Sequence, residues 1–159
     1  MCLLSRTIYF LLLICVHCQN SDPYIFTASK TNDFSWIEDY ISSGYDVNVL
    51  NESGLSPLMV SVDHQYFRTT ELLLSNGADV NIVDDDGWSA LIFACFHDDK
   101  DISELLLKSG ADPHMTTNDG QSAFTFAKER SNRALYSTLR HYSEVQAGTK
   151  LSNSQLTLC

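Results

Sequence analysis

Two groups of side chains in this sequence could support chemistry, and the first is the acidic run Asp84-Asp85-Asp86-Gly87. Carboxylates of this kind are the ligands that a calcium ion prefers. A calcium-binding loop, however, places its acids at alternating positions and adds a distal bidentate Glu, and this run has neither feature. We therefore interpret the run as a solvated turn whose Asp side chains accept hydrogen bonds from nearby backbone N–H groups.

Histidine and cysteine form the second group. His64 and His97 are 33 residues apart, and only Asp63 or Asp98 stands beside them as a further metal ligand. Cys95 precedes His97 by two residues, an arrangement that a nucleophile and its base could have. The sequence has no Gly-rich phosphate loop, no Ser-His-Asp arrangement and no Cys-x-x-Cys pair. We therefore predict a protein that is not an enzyme and has no catalytic residue, metal site or cofactor.

Length and charge limit the remaining classes. The chain has 159 residues, 44% of them hydrophobic, which is enough for one packed domain or one short repeat array. Its 20 acidic and 10 basic residues give a net charge of -10. Because an acidic protein is repelled by the phosphate backbone, we expect no nucleic-acid partner.

The amino terminus has the pattern of a targeting signal. Arg6 precedes an apolar run of nine residues, 8–16, and polar residues follow it from Gln19. Nine helical residues span about 14 Å, well short of the roughly 30 Å hydrocarbon core of a bilayer. We therefore predict that residues 1–18 are a secretory signal peptide cleaved near Cys18–Gln19, with an uncleaved signal anchor as the alternative. No later segment is apolar enough to span a membrane, so we expect no membrane span after cleavage.

The chain also repeats itself at an offset of 33 residues. Several kinds of residue recur in this one register without any insertion. They are Gly44, Gly77 and Gly110; Asp46, Asp79 and Asp112; Gly54, Gly87 and Gly120; Ser56, Ser89 and Ser122; and Leu73, Leu106 and Leu139. We therefore expect a stack of equivalent structural units.

Local signals predict what each unit contains. Ser56-Pro57-Leu58 is typical of a helix start, because Ser caps the free N–H groups and Pro has no N–H to leave unpaired. A second helix is expected over the apolar cluster 72–74 and ends before Gly77, which can adopt the left-handed conformation that closes a helix. An extended stretch and a polar turn follow. The unit is therefore predicted to be a helix, a loop, a second helix and a hairpin-like turn.

This unit resembles the ankyrin repeat. GLSPLMVSV with ELLLSNGADVN, residues 54–81, and GWSALIFAC with ELLLKSGADPH, residues 87–114, follow the family pattern closely. The resemblance implies an all-α solenoid of stacked helix-loop-helix units with short hairpin-like turns. It covers residues 22–142, as a degenerate unit 22–50, units 51–83 and 84–116, and a closing unit 117–142. Residues 143–159 are expected to be a polar, flexible tail.

The sequence departs from the family pattern at two places in each unit. The family His of the first helix is replaced by Met59, Ile92 and Thr125, and the Gly between the two helices by Gln65, Asp98 and Ser131. Because non-glycine residues are strained at positive φ, we expect an array less stable than an idealised one. Cys95 stands where the family has a small buried Ala, which favours an inert core thiol over a nucleophile.

In the family, partners usually contact the turn tips and the exposed face of the first helices, which line a concave groove. Carried over by register, this implies a set of contact residues in three successive units. They are Glu52, Ser53, Leu55, Asp63 and His64; Asp85, Asp86, Trp88, Phe96 and His97; and Asn118, Asp119, Gln121, Lys128 and Glu129. Two aromatic residues among carboxylates suit a protein partner with a basic or amphipathic surface. Trp88 has an alternative role as a residue that packs the turn.

We therefore expect a secreted, non-enzymatic protein-protein interaction module that uses its concave face. A membrane-tethered or intracellular scaffold or adaptor is the alternative. Asn51-Glu52-Ser53 is the one N-glycosylation sequon, and we predict that Asn51 is a candidate glycosylation site in an exposed turn.

Overall fold

The computed structural model describes residues 24–156, and it describes side-chain surroundings for residues 24–147. The predicted signal peptide, residues 1–18, lies outside the described residues. The described chain forms eight α-helices, arranged as four successive pairs, and its only strand-like pairings are two isolated bridges. The helices are α1 (Tyr24–Thr31), α2 (Phe34–Ser42), α3 (Pro57–Asp63), α4 (Phe67–Ser75), α5 (Ala90–Phe96), α6 (Lys100–Lys108), α7 (Ala123–Glu129) and α8 (Arg133–Leu156).

The first helix of three pairs starts at a serine, as the sequence predicts. The hydroxyl oxygens of Ser56, Ser89 and Ser122 each accept a hydrogen bond, at 3.3 Å, from the backbone N–H three residues further on. Pro57 occupies the first helical position of α3. These contacts satisfy N–H groups that have no partner inside the helix, and they fix where the helix begins.

The residue between the two helices of each pair has positive φ. Gln65, Asp98 and Ser131 have φ values of 59°, 59° and 56°. They are the positions where the sequence departs from glycine, so the strain expected there is present. Asn32 has φ 56° at the same point of the first pair, which shows that the degenerate first unit turns in the same way.

The pairs pack in two layers. The first helices α1, α3, α5 and α7 contact one another in succession, and so do the second helices α4, α6 and α8. The apolar core runs continuously between the layers, because equivalent leucines of successive units are all fully buried: Leu73, Leu106 and Leu139. Burial of apolar surface between neighbouring units is therefore the main stabilising term.

Two asparagines also join adjoining units. Asn48 donates from Nδ2 to the Gly77 carbonyl (3.1 Å) and accepts from the Asp79 N–H (2.7 Å). Asn81 makes the same pair of bonds, to the Gly110 carbonyl (3.2 Å) and from the Asp112 N–H (2.8 Å). Each asparagine thus bonds to two backbone groups of the next unit: the carbonyl of the glycine that follows its second helix, and the N–H two residues later.

The last helix does not end at residue 142, where we placed the end of the repeat domain. It continues through residues 143–156, which we expected to form a tail. The reason lies in the register: the glycine that closes earlier second helices would fall at position 143, which is Ser143. Gln146 also donates a hydrogen bond to the Ala111 carbonyl at 3.0 Å, which holds the added length against the preceding unit. The flexibility of residues 143–159 stays a prediction.

Candidate partner-binding face

Three equivalent turns precede helices α3, α5 and α7. In the first, Asn51 accepts from the N–H groups of Ser53 (3.0 Å) and Leu55 (2.9 Å) through Oδ1. In the second, Asp84 accepts from those of Asp86 (3.0 Å) and Trp88 (2.7 Å). The Asp84 carboxylate is therefore occupied in shaping its own turn, as we predicted for the acidic run.

The third turn uses a hydroxyl in place of the amide or carboxylate. Thr117 accepts from the Gln121 N–H at 3.2 Å through Oγ1. A short polar side chain thus accepts from the residue four positions later in each turn, and within the described chain Asn51 and Asp84 accept a second bond that Thr117 does not.

Neighbouring turns are hydrogen-bonded to one another. The Asp85 N–H donates to the Ser53 carbonyl (3.2 Å), and Asn118 donates from its backbone N–H to the Asp86 carbonyl (2.9 Å) and from Nδ2 to the Asp85 carbonyl (3.0 Å). Gly87 permits this approach, because a Cβ there would lie 3.0 Å from the backbone nitrogen of Asn118. The turns therefore form one continuous row, and part of the Asn118 side chain is used inside it.

Four aromatic side chains meet beside this row, and we call Trp88, Phe93, Phe96 and Phe126 the aromatic cluster. The ring centroid of Trp88 lies 5.0 Å from that of Phe93 and 5.5 Å from those of Phe96 and Phe126. These distances lie in the range of favourable aromatic pairs. Trp88 is half-buried in the cluster, which fits the turn-packing role that we gave as its alternative.

Phe96 is the exposed member of the aromatic cluster. It is 39% exposed although it lies at the end of a helix whose other face is core. The guanidinium carbon of Arg130, in the next unit, lies 5.4 Å from its ring centroid, within cation–π range. A positive group is therefore already placed on this ring by the protein itself.

The two histidines of the candidate site have different partners. His97 Nε2 lies 2.8 Å from Asp63 Oδ1 of the preceding unit, whereas His64 Nδ1 lies 3.0 Å from the Val60 carbonyl of its own helix. Within residues 24–147, no three His, Cys, Asp or Glu residues are grouped so that they could hold a metal ion.

The Cys95 thiol is fully buried, and its Sγ lies 3.7 Å from the Ser103 hydroxyl. Burial raises the pKa of the thiol to about 12. A thiol that keeps its proton is a poor nucleophile. The geometry therefore fits the core role that we predicted from the register.

The predicted contact residues fall into two sets. Exposed side chains on the turns and at the ends of the first helices are Glu52, Ser53, Asp63, His64, Asp85, Asp86, Phe96, Asn118, Asp119, Lys128 and Glu129, whereas Leu55, Trp88, His97 and Gln121 are partly buried. The structure brings Trp88 and Phe96 into contact, pairs His97 with Asp63, and joins Asn118 to the turn of Asp85 and Asp86.

Sequence reasoning did not assign Phe93, Phe126 or Arg130 to this face. Phe93 and Phe126 stand 33 residues apart in register, at a position where Val60 occupies the unit before, so the repeat did contain the signal. Arg130 is the C-cap residue of α7 in the closing unit. Its position over Phe96 depends on how two units stack, which no local pattern reports.

Within the described residues, no helix is long and apolar enough to cross a membrane. The sequence profile of a family described as ankyrin repeats, in three copies, matches residues 25–117. No curated protein matches the chain at a significant level.

Proposed function

Because the chain belongs to the ankyrin-repeat family, whose repeats are protein–protein interaction modules, we propose that it is a secreted binding protein without enzymatic activity. It holds another protein against the row of turns and the exposed side of the first helices. The signal-like character of residues 1–18 supports the secreted location.

The observation that carries this proposal is the exposure of Phe96 within the aromatic cluster. An aromatic ring that is 39% exposed and packs against the rings of Trp88 and Phe126 is a rigid apolar anchor of the kind that dominates interfaces. Ordering it on binding costs little entropy, because its neighbours already hold it in place.

Charge supports a basic or amphipathic partner. Asp85 and Asp86 are exposed on the turn beside the aromatic cluster, and the Asp63 side chain is 46% exposed on the preceding unit. Carboxylates around an apolar anchor favour partners that present Lys or Arg next to apolar side chains, and they speed association at low salt. Because Arg130 already lies over the Phe96 ring, the basic groups of the partner are expected to meet the surrounding carboxylates.

The test uses residues 19–159 as bait against a pool of extracellular proteins, with the Phe96→Ala variant in parallel. We expect a captured protein whose retention falls at least about tenfold with Phe96→Ala, as for a hot-spot residue, and also falls with rising salt.

Phe67→Ala is the matched control, because Phe67 is 41% exposed but begins a second helix, α4, on the other layer. Equal loss with both variants would contradict the choice of face.

The second candidate function is a scaffold that is tethered by an uncleaved signal anchor or is intracellular. The tethered form requires residues 1–18 to stay attached, since the nine-residue apolar run at 8–16 is by itself too short to span the hydrocarbon core of a bilayer. Mass spectrometry of the mature amino terminus separates the two: a start near Gln19 supports secretion, and an intact Met1 supports the alternative.

A further inference from the structure

Asn51 is placed by its turn so that one atom of its amide supports the fold while the other is left for solvent. Oδ1 accepts two backbone hydrogen bonds, from Ser53 and Leu55. Of the two amide atoms, only the oxygen can accept a hydrogen bond from an N–H group, so these two bonds distinguish Oδ1 from Nδ2. Nδ2 is bonded to the same carbon as Oδ1, so it is directed away from those N–H groups.

The amide nitrogen of Asn51 has no other task in the described residues. Among the described residues it donates no hydrogen bond. A buried polar atom without a partner is found there only at the Ser29 hydroxyl, so the Asn51 nitrogen is not buried. It therefore reaches solvent. Glu52 and Ser53, which complete the sequon, are exposed.

The equivalent positions in the next two turns are Asp84, which accepts the same two bonds through Oδ1, and Thr117, which accepts one of them through Oγ1. Asn, Asp and Thr thus all meet the needs of the turn. Of the three, only Asn51 offers a nitrogen, and only Asn51 is followed by a hydroxyl residue two positions later.

We propose that Asn51 carries an N-linked glycan at the first turn of the row, and that this glycan leaves the aromatic cluster as the open part of the face. The proposal rests on the secretory location under the proposed function. In the transfer step, Asn51 Nδ2 bonds to C1 of the terminal sugar of a lipid pyrophosphate-linked oligosaccharide. The bond from C1 to the pyrophosphate oxygen breaks, the amide proton passes to the transferase, and the lipid pyrophosphate leaves.

The glycan has a defined position relative to the candidate site. It stands beside Glu52, in the turn that contacts the next turn through the Ser53 carbonyl. Phe96 and Trp88 belong to the following unit, and Asn118 and Asp119 to the turn after that. A glycan at Asn51 therefore covers the start of the row and directs a partner toward the second and third turns.

The test expresses the full chain in eukaryotic cells, once with its own residues 1–18 and once with an established signal peptide in their place. We expect a single increase in mass, removed by an amidase that cleaves N-glycans and converts Asn51 to Asp. Ser53→Thr should keep the modification, and Ser53→Ala should abolish it.

Ser53→Ala is a conservative change, because Ser53 contributes only its backbone N–H and carbonyl to the turns. Asn51→Asp is the matched variant of the acceptor, because Asp84 shows that Asp supports the same turn. Both should be secreted and unmodified.

A chain that is secreted from the established signal but carries no glycan overturns the glycosylation proposal and leaves the binding function untouched. A chain that is glycosylated only with the established signal contradicts the secretory role of residues 1–18 instead. Carboxyl labelling gives the second readout: Glu52 should be labelled less in the glycosylated chain than in Ser53→Ala, with Asp119 unchanged. Equal labelling of Glu52 in both would overturn the proposed covering of the first turn.

Discussion

His97 and Asp63 come from adjoining units, and in the unbound protein they contact each other directly, with His97 Nε2 2.8 Å from Asp63 Oδ1. Both were predicted as partner contacts, so a partner that uses either one meets a preformed pair. The two side chains are 22% and 46% exposed, so water screens the interaction.

We expect this pair to contribute little to stability. A double-mutant cycle with Asp63→Asn and His97→Gln, measured by urea unfolding, should give a coupling energy below about 1 kcal/mol. A coupling well above this value would mean that the pair is a main link between units, and our interpretation of it as a surface contact would then be wrong.

Gly87 and Gly120 offer a matched test of how tightly the turns are packed. Both have positive φ, 81° and 76°, so alanine strains the backbone at each by about 1–2 kcal/mol. At Gly87 the new Cβ would also lie 3.0 Å from the Asn118 backbone nitrogen, whereas at Gly120 it meets nothing within 4 Å.

Gly87→Ala should therefore lower the free energy of unfolding more than Gly120→Ala does. Urea unfolding of the two variants measures the difference. An equal decrease in the free energy of unfolding for both variants would show that the row of turns can shift to accommodate the added Cβ and is not rigid.

These two glycines also show how far the sequence could predict the structure. The 33-residue register predicted the glycine turns, the serine caps and the strained residues between helices, because each is set by local backbone chemistry. The pairing of His97 with Asp63 and the placement of Arg130 over Phe96 join residues of adjoining units. Such contacts depend on the small rotation between units, which residue types alone do not determine.

Trp88 is a packing residue as well as a candidate contact, so its removal should be costly. Trp88→Ala should lower the free energy of unfolding by about 2–3 kcal/mol, somewhat less than for a fully buried Trp, because three rings lose their neighbour. Phe96→Ala should cost less, since that ring is 39% exposed. Urea unfolding, with near-UV circular dichroism for the aromatic cluster, makes the comparison. If Trp88→Ala is the milder change, the aromatic cluster is not packed as described.

Asn81 tests the polar links between units. Asn81→Ala removes two hydrogen bonds to the next unit, at 3.2 and 2.8 Å, and should cost about 1–2 kcal/mol in urea unfolding. Asn76→Ala is the control, because the Asn76 side chain bonds only within its own unit, to Leu72 and Ser75. A larger loss for Asn76→Ala would contradict the bridging role of Asn81.

Cys95 should resist alkylation in the native protein. Its pKa is raised by burial from 9.0 to about 12, so at pH 8 the thiol keeps its proton and iodoacetamide should modify it only after unfolding. Peptide mass spectrometry after labelling with and without urea measures this. Rapid labelling of Cys95 in the native protein would contradict the buried core role and would favour Cys95 as a nucleophile.

The raised pKa of Cys95 also makes the free energy of unfolding depend on pH. Above pH 9 the unfolded chain loses the thiol proton while the native chain retains it until about pH 12, so rising pH favours unfolding over this interval. Cys95→Ala should remove that part of the pH dependence. An unchanged slope in the variant would assign it to other groups.

The described hydrogen bonds between units join only neighbours, as those of Asn48, Asn81 and Asn118 do. A further copy of residues 84–116, inserted after residue 116, would therefore meet the closing unit across the present interface and would pack on the original unit 84–116 in the same 33-residue register. Such a chain should fold as a longer rod of the same width, and a pulling force should detach its units one after another from an end.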